Sequence, residues 1–269
     1  MSETSLSVSH LSYSYDRKGR QVLQDISFSA KEGDLMAVLG PNGVGKSTMF
    51  KCILGFFKTY SGDVKLNGVD VKHLTYKEIA RHVAYIPQST YPVFNYEVLD
   101  VVLMGLTSHI SLLAAPKKEH IEAAEAALAS LGIAHLAHAG YGEISGGERQ
   151  LALIARALVQ QAKILIMDEP TANLDYGNQF RVMCRIQGLA KDGYIIILST
   201  HNPDHAFLYA NRVIMMFGGK VIADGVPDEV LDARLIHDVY GVDTKIEVFS
   251  DAGGTHRMCI PVNGGFGGK

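Results

Sequence analysis

The sequence contains no tryptophan and only three cysteines, Cys52, Cys184 and Cys259, which lie far apart in the chain. Because no C-x-x-C pair occurs, the sequence indicates neither a structural zinc site nor a disulfide framework, and we expect a reducing compartment. A strong excess of charge is also missing, since the formal net charge is −3. We therefore expect no nucleic-acid partner, because such partners favour basic proteins.

Long hydrophobic runs are missing as well. The longest apolar runs, YIIIL at 194–198 and VIMMF at 213–217, have the length of strands and fall well short of the roughly 18–20 residues that cross a bilayer. The first ten residues lack the basic and apolar regions of a signal peptide. We expect no direct membrane insertion, so any role at a membrane would require a partner.

Strand-like and helix-like patterns divide the chain into blocks. Residues 1–88 are mainly strand-like around one helix, 89–160 favour helices, and in 161–240 strands and helices alternate again, which is typical of an α/β fold with a parallel sheet. The patterns predict a single α/β domain with a core at 1–88 and 161–240 and a helical lobe at 89–160. A C-terminal hairpin and tail follow at 241–269, and the last residues, NGGFGGK, should be flexible.

A glycine-rich segment follows the apolar run LMAVL and precedes a helix-like stretch. Its sequence GPNGVGKST matches the phosphate-loop motif G-x-x-x-x-G-K-[ST] in the context that the motif requires. The glycines allow successive N–H groups to face one anion, and the helix N-terminus adds a positive dipole end. We expect Lys46 to contact the β- and γ-phosphates and Ser47 to bind Mg²⁺. The candidate nucleotide-binding residues are Gly40, Pro41, Asn42, Gly43, Val44, Gly45, Lys46, Ser47 and Thr48.

Two carboxylates end the strand pattern KILIMDEP at 163–170. Asp168 is suited to be an outer-sphere ligand of Mg²⁺, and Glu169 is suited to polarise the attacking water as a general base. Without other motifs, such a pair would more often be an acidic strand end that faces solvent. The phosphate loop earlier in the chain favours the catalytic interpretation.

A histidine and a glutamine follow two other strand patterns. His201 comes directly after YIIILST and could donate a hydrogen bond to the γ-phosphate. His201 and His205 also form H-x-x-x-H, a spacing that can bind a metal. Pro203 lies between them and favours the start of a helix there, which argues against a metal site. An exposed histidine without a function is the stronger alternative. Gln88 could bind Mg²⁺ or water and sense the γ-phosphate, or be only a polar strand end.

The motifs together resemble those of the ATPase subunits of ABC transporters, over about residues 5–240. The matching segments, in their usual order, are Gly40–Thr48, Gln88, ISGGE at 144–148, ILIMDEP at 164–170, NLD at 173–175 and His201. The resemblance implies a P-loop NTPase (RecA-like) core with an antiparallel β subdomain and an inserted α-helical lobe. It also implies a homodimer in which two such subunits, head to tail, enclose two ATP molecules.

The resemblance implies roles for individual residues. Tyr15 resembles the aromatic residue that stacks on adenine, with Tyr13 as the less favoured register. Gln88 resembles the glutamine that joins the two lobes, and Asp168 and Glu169 resemble the Walker B pair, with Glu169 as the base.

Three further features of the sequence resemble features of the family, of which the aspartate lies at the dimer interface there. Asp175 resembles the D-loop aspartate and His201 the switch histidine. The segment ISGGE resembles the family signature, with Ile144 in place of the usual leucine and Glu148 where glutamine is common. The departures leave the serine and both glycines of the signature in place.

The signature segment also has a simpler interpretation. Ser145 and Glu148 fit a capping box, S-x-x-E, that opens a helix. Capping does not explain Gly146 and Gly147, which lower helix stability and leave bare N–H groups, and such groups bind anions. Because the phosphate loop already provides this function, we expect this segment to bind the γ-phosphate of ATP held by a second copy of the chain.

The stretch VLDVVLMGLTSHISLLAAPKKEH at 98–120 resembles the helical lobe of importer ATPases for metal chelates. Those importers move ferric siderophores, haem or cobalamin, and a related branch moves molybdate; they usually have MGR where this chain has Gly105 and Leu106. The implied protein is peripheral at the cytoplasmic face of the cell (inner) membrane, with two copies of an integral permease and, indirectly, a substrate-binding protein. An exporter ATPase is the alternative; a non-transport ABC ATPase is disfavoured.

Overall fold

The structure, a computed structural model, describes residues 4–16, 19, 21–88, 96–108, 115–251 and 254–262. Three segments on which sequence-based expectations fall lie outside the described residues. They are the start of the expected helical lobe at 89–95, the middle of the importer-like stretch at 109–114, and the C-terminal sequence at 263–269.

The strands of the described residues agree with the predicted patterns, including the C-terminal hairpin. They are β1 (Ser5–Tyr13), β2 (Leu23–Lys31), β3 (Leu35–Leu39), β4 (Ser61–Leu66), β5 (Val69–Asp70), β6 (Val83–Ile86), β7 (Ile164–Met167), β8 (Ile195–Thr200), β9 (Arg212–Phe217), β10 (Lys220–Gly225), β11 (Thr244–Asp251) and β12 (Gly254–Pro261).

In the described residues, two helices lie in the first block, where the sequence patterns predicted one, three lie in the middle block, and four alternate with strands after it. They are α1 (Lys46–Ile53), α2 (Tyr76–His82), α3 (Val98–Leu103), α4 (Lys118–Ser130), α5 (Gly146–Val159), α6 (Tyr176–Lys191), α7 (Pro203–Tyr209), α8 (Pro227–Val230) and α9 (Ala233–Tyr240), with short 3-10 turns at Val71–His73, Met104–Ser108 and Ala134–Leu136.

A six-stranded sheet in the order β10-β9-β3-β8-β7-β6 forms the centre of the molecule. Its neighbours pair in parallel, except that β10 is antiparallel to β9 at one edge. Every residue of β3, β7 and β8 is buried, as expected for parallel strands covered on both faces. Because the carboxyl ends of parallel strands share one edge, the segments that follow β3, β6, β7 and β8 lie close together there.

Alternate side chains of the central strands face two hydrophobic cores. Leu35, Ala37 and Leu39 of β3 pack with the middle helices, whereas Met36 and Val38 pack with α1 and the antiparallel sheet β2-β1-β4-β5. This alternation follows from the two-residue period of a strand. The predicted α/β class with an antiparallel β portion is therefore confirmed.

The helices of the middle block pack on one another, since α3 and α4 both contact α5. Helix α5 buries Leu151, Ile154 and Ala155, which recur at the spacing of one helix face. The boundaries of the helical lobe at 88/89 and 160/161 stay a prediction. Among the helices of the described residues, none is both long enough and apolar enough to cross a membrane.

Candidate functional site

The segment between β3 and α1 forms a loop of unusual backbone. Gly40, Gly43 and Gly45 have φ angles of +147°, +78° and +113°, which residues with side chains rarely adopt. A Cβ on Gly40 would also collide with the carbonyl oxygen of Met216 on β9. Glycine at this position therefore allows both the backbone angle and the close approach of two strands.

The start of α1 leaves an anion-binding surface. The N-cap, Gly45, has no side chain that could cap the helix, and the first turn of α1 contains no acidic residue. The first N–H groups of a helix have no intrahelical partner, and the helix dipole favours negative charge beside them. The loop and helix therefore have the geometry of a phosphate site.

Lys46 is buried within this loop. Its Nζ donates hydrogen bonds to the carbonyl oxygens of Gly40, at 2.6 Å, and Pro41, at 3.3 Å. Burial lowers the pKa of Lys46, whereas the nearby carboxylates of Glu169 and Asp168 act to raise it. The hydrogen-bond acceptors recorded for its ammonium group are two backbone carbonyl oxygens, whose place a phosphate oxygen can take.

The acidic pair after β7 is fixed by a serine of the neighbouring strand. The hydroxyl of Ser199 on β8 donates to Oδ1 of Asp168, at 2.6 Å, and accepts the N–H of Glu169, at 2.9 Å. Ser199 is fully buried, and Glu169 has a φ of +47°, a backbone conformation that costs about 1–3 kcal/mol for a residue with a side chain. Ser199 therefore holds Glu169 in a conformation that it would not adopt alone.

Two residues singled out from the sequence converge on one carboxylate oxygen of a third. Nε2 of Gln88 donates to Oε2 of Glu169, at 3.3 Å, and Nδ1 of His201 lies 3.5 Å from the same oxygen. The Glu169 side chain is only 15% exposed, whereas that of His201 is 63% exposed. A carboxylate with this geometry can accept a proton from a water molecule at the mouth of the site.

A cavity of about 490 Å³ joins the loop to the acidic pair. The hydroxyls of Tyr15 and Thr48 lie 3.0 Å apart at its rim. Tyr13 is buried and stacks on Phe57 at 5.0 Å, so of the two tyrosine registers Tyr15 is the one that lines the cavity. The lining residues are Tyr15, Val22, Pro41, Asn42, Gly43, Val44, Gly45, Lys46, Ser47, Thr48, Gln88, Asp168 and Glu169.

The donor set of this cavity fits a nucleoside triphosphate with Mg²⁺. A lysine and a helix N-terminus suit the phosphates, and the hydroxyl of Ser47 and the carboxylate of Asp168 are oxygen ligands of the kind that Mg²⁺ prefers. No described residue from 145–148 lines the cavity. Within one chain, the structure thus brings together the predicted loop, acidic pair, glutamine and histidine, but not the ISGGE segment.

The ISGGE segment forms the predicted capping box. The N–H of Glu148 donates to Oγ of Ser145, at 3.3 Å, and the N–H of Ser145 donates to Oε2 of Glu148, at 2.8 Å. These hydrogen bonds lower the pKa of Glu148, and α5 begins at Gly146. The carboxylate of Glu148 is therefore engaged in capping.

One glycine of this segment has a structural reason that the sequence did not reveal. A Cβ on Gly147 would lie 2.6 Å from the side chain of Asn178 on α6. The carboxylate of Asp175, which caps α6, accepts hydrogen bonds from the N–H and from Nδ2 of Asn178, at 2.9 and 2.8 Å. Gly147 and Asp175 therefore both lie against Asn178.

The two histidines of H-x-x-x-H have different environments. His205 is 9% exposed, and its Nδ1 lies 3.0 Å from the hydroxyl of Thr200. The expectation of an exposed histidine is therefore wrong for His205. The described residues contain no group of three or more potential metal ligands of the His, Cys, Asp and Glu types.

Sequence reasoning missed two residues that contact the site. The only sequence signal for Ser199 is a polar residue inside the apolar strand run IIILST. For Tyr240 there is no signal, because it lies two hundred residues beyond the loop; its hydroxyl accepts the N–H of Gly40, at 3.0 Å.

Comparison with known proteins identifies the family. The family model described as ABC transporter matches residues 23–172, more than half of the chain. An uncharacterized ABC transporter ATP-binding protein of Haemophilus influenzae is 42% identical over 211 residues, which are 78% of this chain and 80% of that protein.

Two further relatives carry names that include a transported substance. A protein of Helicobacter pylori named probable iron chelatin transport ATP-binding protein is 34% identical, covering 90% of this chain and 94% of its own length. The molybdate import ATP-binding protein MolC of Haemophilus influenzae is 35% identical, covering 78% of each.

Among solved structures, one chain of a metal-chelate type ABC transporter in an inward-facing conformation resembles this chain with a TM-score of 0.86 and 29% identity. The match covers 97% of this chain and 98% of that one, and it confirms the predicted P-loop NTPase fold. With the family model and the relatives, it shows that this chain belongs to the ABC transporter family, as one of its ATP-binding ATPases.

Proposed function

We propose that this chain is the ATP-hydrolysing subunit of an ABC importer that takes up a metal chelate, of the siderophore, haem or cobalamin type, or an oxyanion. The observation that carries the ATPase part is the convergence of Gln88 and His201 on Oε2 of Glu169, beside the phosphate loop. The name of the Haemophilus relative MolC supports the import direction, and both this name and that of the Helicobacter relative support the substrate class.

In this proposal the phosphate loop binds the nucleotide. Tyr15, at the rim of the cavity, stacks on adenine, and the N–H groups of the loop and the start of α1 bind the phosphates. Lys46 exchanges its carbonyl partners for phosphate oxygens, and Ser47 and Asp168 hold Mg²⁺ with Gln88 beside them. Bound Mg²⁺ would neutralise charge on the phosphates.

Glu169 acts as the general base in this proposal. Its Oε2 is the atom that accepts the proton from water, and Gln88 and His201 orient that oxygen from two sides. Ser199 fixes the backbone from which the carboxylate extends. Glu169 combines its positive φ with a position in the lining of the cavity.

A homodimer completes the site. Within one chain the turn from Ser145 to Glu148 does not line the cavity of Lys46, yet it presents a helix N-terminus with two glycines. We assign the segment Ser145, Gly146, Gly147 and Glu148 to the γ-phosphate of ATP on a second copy, and Asp175 to the interface between the two copies. Closure of this dimer would drive two copies of a permease from the cytoplasmic face of the cell membrane, which makes the complex a translocase.

The base is tested by Glu169→Gln, which keeps the size and the acceptor oxygen of the side chain. ATP affinity should stay within about threefold, while turnover should fall by about 10²–10⁴-fold, the usual contribution of a general base. Glu122→Gln on the exposed face of α4 is the matched control, and Lys46→Ala should lose ATP binding. Normal turnover by Glu169→Gln would refute the assignment of the base.

The shared site is tested by Ser145→Arg. This variant should bind ATP as the wild type does, but it should neither dimerise with ATP nor hydrolyse it, because a bulky cation replaces the turn that meets the second copy. Light scattering with ATP, in a Glu169→Gln background that prevents turnover, measures the dimer. A dimer of undiminished stability would contradict the proposal.

The importer is tested by purifying the chain with its membrane partner. Mass spectrometry should identify a permease without an ATPase domain of its own, and ATP turnover in vesicles should rise when a metal chelate or molybdate is supplied with its binding protein. If the chain instead co-purified with the membrane domain of an exporter, and if ATP turnover rose with a compound that leaves the compartment containing ATP, the exporter alternative would be favoured.

A further inference from the structure

We propose that Tyr240 is a positioning residue for the phosphate loop, and that the C-terminal hairpin of β11 and β12 holds it in place. The inference rests on the proposed ATP binding by this loop, and it assigns a role to the C-terminal part of the chain. Tyr240 lies at the end of α9, outside the segment 23–172 that the family model covers.

Gly40, the first residue of the loop, is held at three points. Its N–H donates to the hydroxyl of Tyr240, at 3.0 Å, its carbonyl oxygen accepts from Nζ of Lys46, at 2.6 Å, and its Cα lies against the backbone of Met216. Gly40 is buried, so an N–H without an acceptor there would be unfavourable. Tyr240 therefore provides a hydrogen-bond acceptor for this buried N–H.

The hydroxyl of Tyr240 is a neutral acceptor in this place. Burial raises the pKa of Tyr240 to about 12, although the hydrogen bond from Gly40 opposes the shift. Helix α9 is fixed at both ends: Asp232 caps its start through the N–H of Leu235, at 2.7 Å, and Gly241 ends it with a φ of +69°. Because both ends of α9 are fixed, the helix holds the ring of Tyr240 in a fixed position beside the phosphate loop.

The hairpin connects this helix to the segment after the switch histidine. Strand β11 begins three residues beyond Gly241, and the N–H of Cys259 on β12 donates to Oδ1 of Asp204 on α7, at 2.7 Å. A second contact joins Arg257 to Asp228 at the start of α8. The C-terminal unit therefore contacts both the phosphate loop, through Tyr240, and the helix that begins two residues after His201.

Tyr240 matters most when Lys46 turns to the phosphates. Lys46 then releases the carbonyl oxygen of Gly40, and one of the three restraints on this glycine is lost. The hydrogen bond to Tyr240 remains, so the loop keeps the conformation in which its N–H groups converge. Without the hydroxyl, ATP binding would have to order the loop, and this cost would lower the affinity for ATP.

The test is Tyr240→Phe in the full chain, with Tyr194→Phe as the matched control. Tyr194 is also partly buried, and Lys163 lies over its ring, a contact that phenylalanine retains. For Tyr240→Phe we expect the Kd and the KM for MgATP to rise about tenfold, the effect of losing one buried hydrogen bond. The kcat should stay within about twofold, because Glu169 and Ser199 are untouched.

Hydrogen exchange gives a second readout, since the amides of residues 40–48 should exchange faster in Tyr240→Phe and unchanged in Tyr194→Phe. A lower Tm with unchanged KM and unchanged exchange at 40–48 would overturn the inference and leave Tyr240 a packing residue. If the wild type bound no MgATP, or Lys46→Ala bound it normally, the proposed function would fail first.

The hairpin is tested through its contact with α7. Asp204→Ala removes the acceptor for the N–H of Cys259 and should raise the KM in the same direction as Tyr240→Phe, whereas Asp204→Asn keeps an oxygen acceptor and should restore it. Equal KM values for Asp204→Ala and the wild type would refute the part of the inference that concerns the hairpin.

Discussion

Replacing Ser199 by alanine is the sharpest test of how the acidic pair is held. The change deletes one buried oxygen atom and adds no bulk. It removes the donor to the carboxylate of Asp168 and the acceptor of the N–H of Glu169. The N–H of Glu169 then lacks its partner on β8, and the residue has no reason to keep its positive φ.

The magnitude follows from the two hydrogen bonds. A hydrogen bond to a charged group contributes about 1.5–3 kcal/mol and one between neutral groups about 0.5–1.5 kcal/mol. Relaxation of the Glu169 backbone returns about 1 kcal/mol of strain. The free energy of unfolding should thus fall by about 1–3.5 kcal/mol, and the Tm by about 2–14 °C.

Turnover should fall further than stability implies. If Glu169 moves by about 1 Å, its Oε2 leaves the hydrogen-bonding reach of Gln88 and His201, and a displacement of that size costs about 10²-fold in rate. Phosphate release at saturating MgATP measures kcat, and thermal unfolding measures stability. The Kd for ATP measured without Mg²⁺ should change little, because the two hydrogen bonds of Ser199 involve Asp168 and Glu169 and not the phosphate loop.

Ser130→Ala is the matched control, since its hydroxyl donates to the carbonyl of Ala127 near the end of α4, remote from the cavity. Both its Tm and kcat should remain close to those of the wild type. A Ser199→Ala variant with a lower Tm but a normal kcat would refute the reasoning, because Ser199 would then support the fold without positioning Glu169.

Two other predictions concern stability. Burial, reinforced by the charge of His201, lowers the pKa of His205 in the folded protein. Because a histidine of the unfolded chain titrates near 6.5, the folded protein loses stability as the pH falls through about 6.5 toward the lower pKa of the folded state. The difference in Tm between pH 7.5 and pH 5.5 should therefore be smaller for His205→Asn than for the wild type. Gly105→Ala would collide with the carbonyl oxygen of Arg156, whereas a Cβ on Gly188 in α6 meets open space. In chemical denaturation, the free energy of unfolding should fall by about 1–3 kcal/mol for Gly105→Ala and rise by about 0.5–1 kcal/mol for Gly188→Ala. If Gly105→Ala were the more stable variant, the packing inferred at both glycines would be wrong.

The local part of the site could be predicted from the sequence, because each motif contains its own geometry. Gly43, Gly45 and Lys46 follow a buried strand and open a helix, and no other conformation suits that spacing. Gln88, Glu169 and His201 each follow a strand, and parallel strands bring such positions to one edge. Their convergence on one carboxylate oxygen is a consequence of the strand order β8-β7-β6.

The contacts between distant segments could not be predicted in this way. Tyr240 reaches Gly40 through the packing of α9, and Asn178 reaches Gly147 through the crossing of α6 and α5; neither contact has a period or spacing in the sequence. The same limit explains why the capping box was predicted correctly while the structural reason for Gly147 was missed. Capping depends on neighbours along one helix, whereas helix crossing depends on the whole fold.

The position of Asn178 bears on how two sites of a dimer would affect each other. Glu169 and Asp175 are six residues apart, and the chain between them forms tight turns through hydrogen bonds from Ala172 to Glu169, at 3.0 Å, and from Leu174 to Thr171, at 3.3 Å. Asp175 binds Asn178, which in turn lies against Gly147. The proposed base, Glu169, and the signature turn proposed for the second site are therefore connected within one subunit by a short, hydrogen-bonded segment and by the contact of Asn178 with Gly147. A displacement of Glu169 after hydrolysis would be transmitted to the turn that meets the second ATP, whereas two sites connected only by a long flexible loop would act independently.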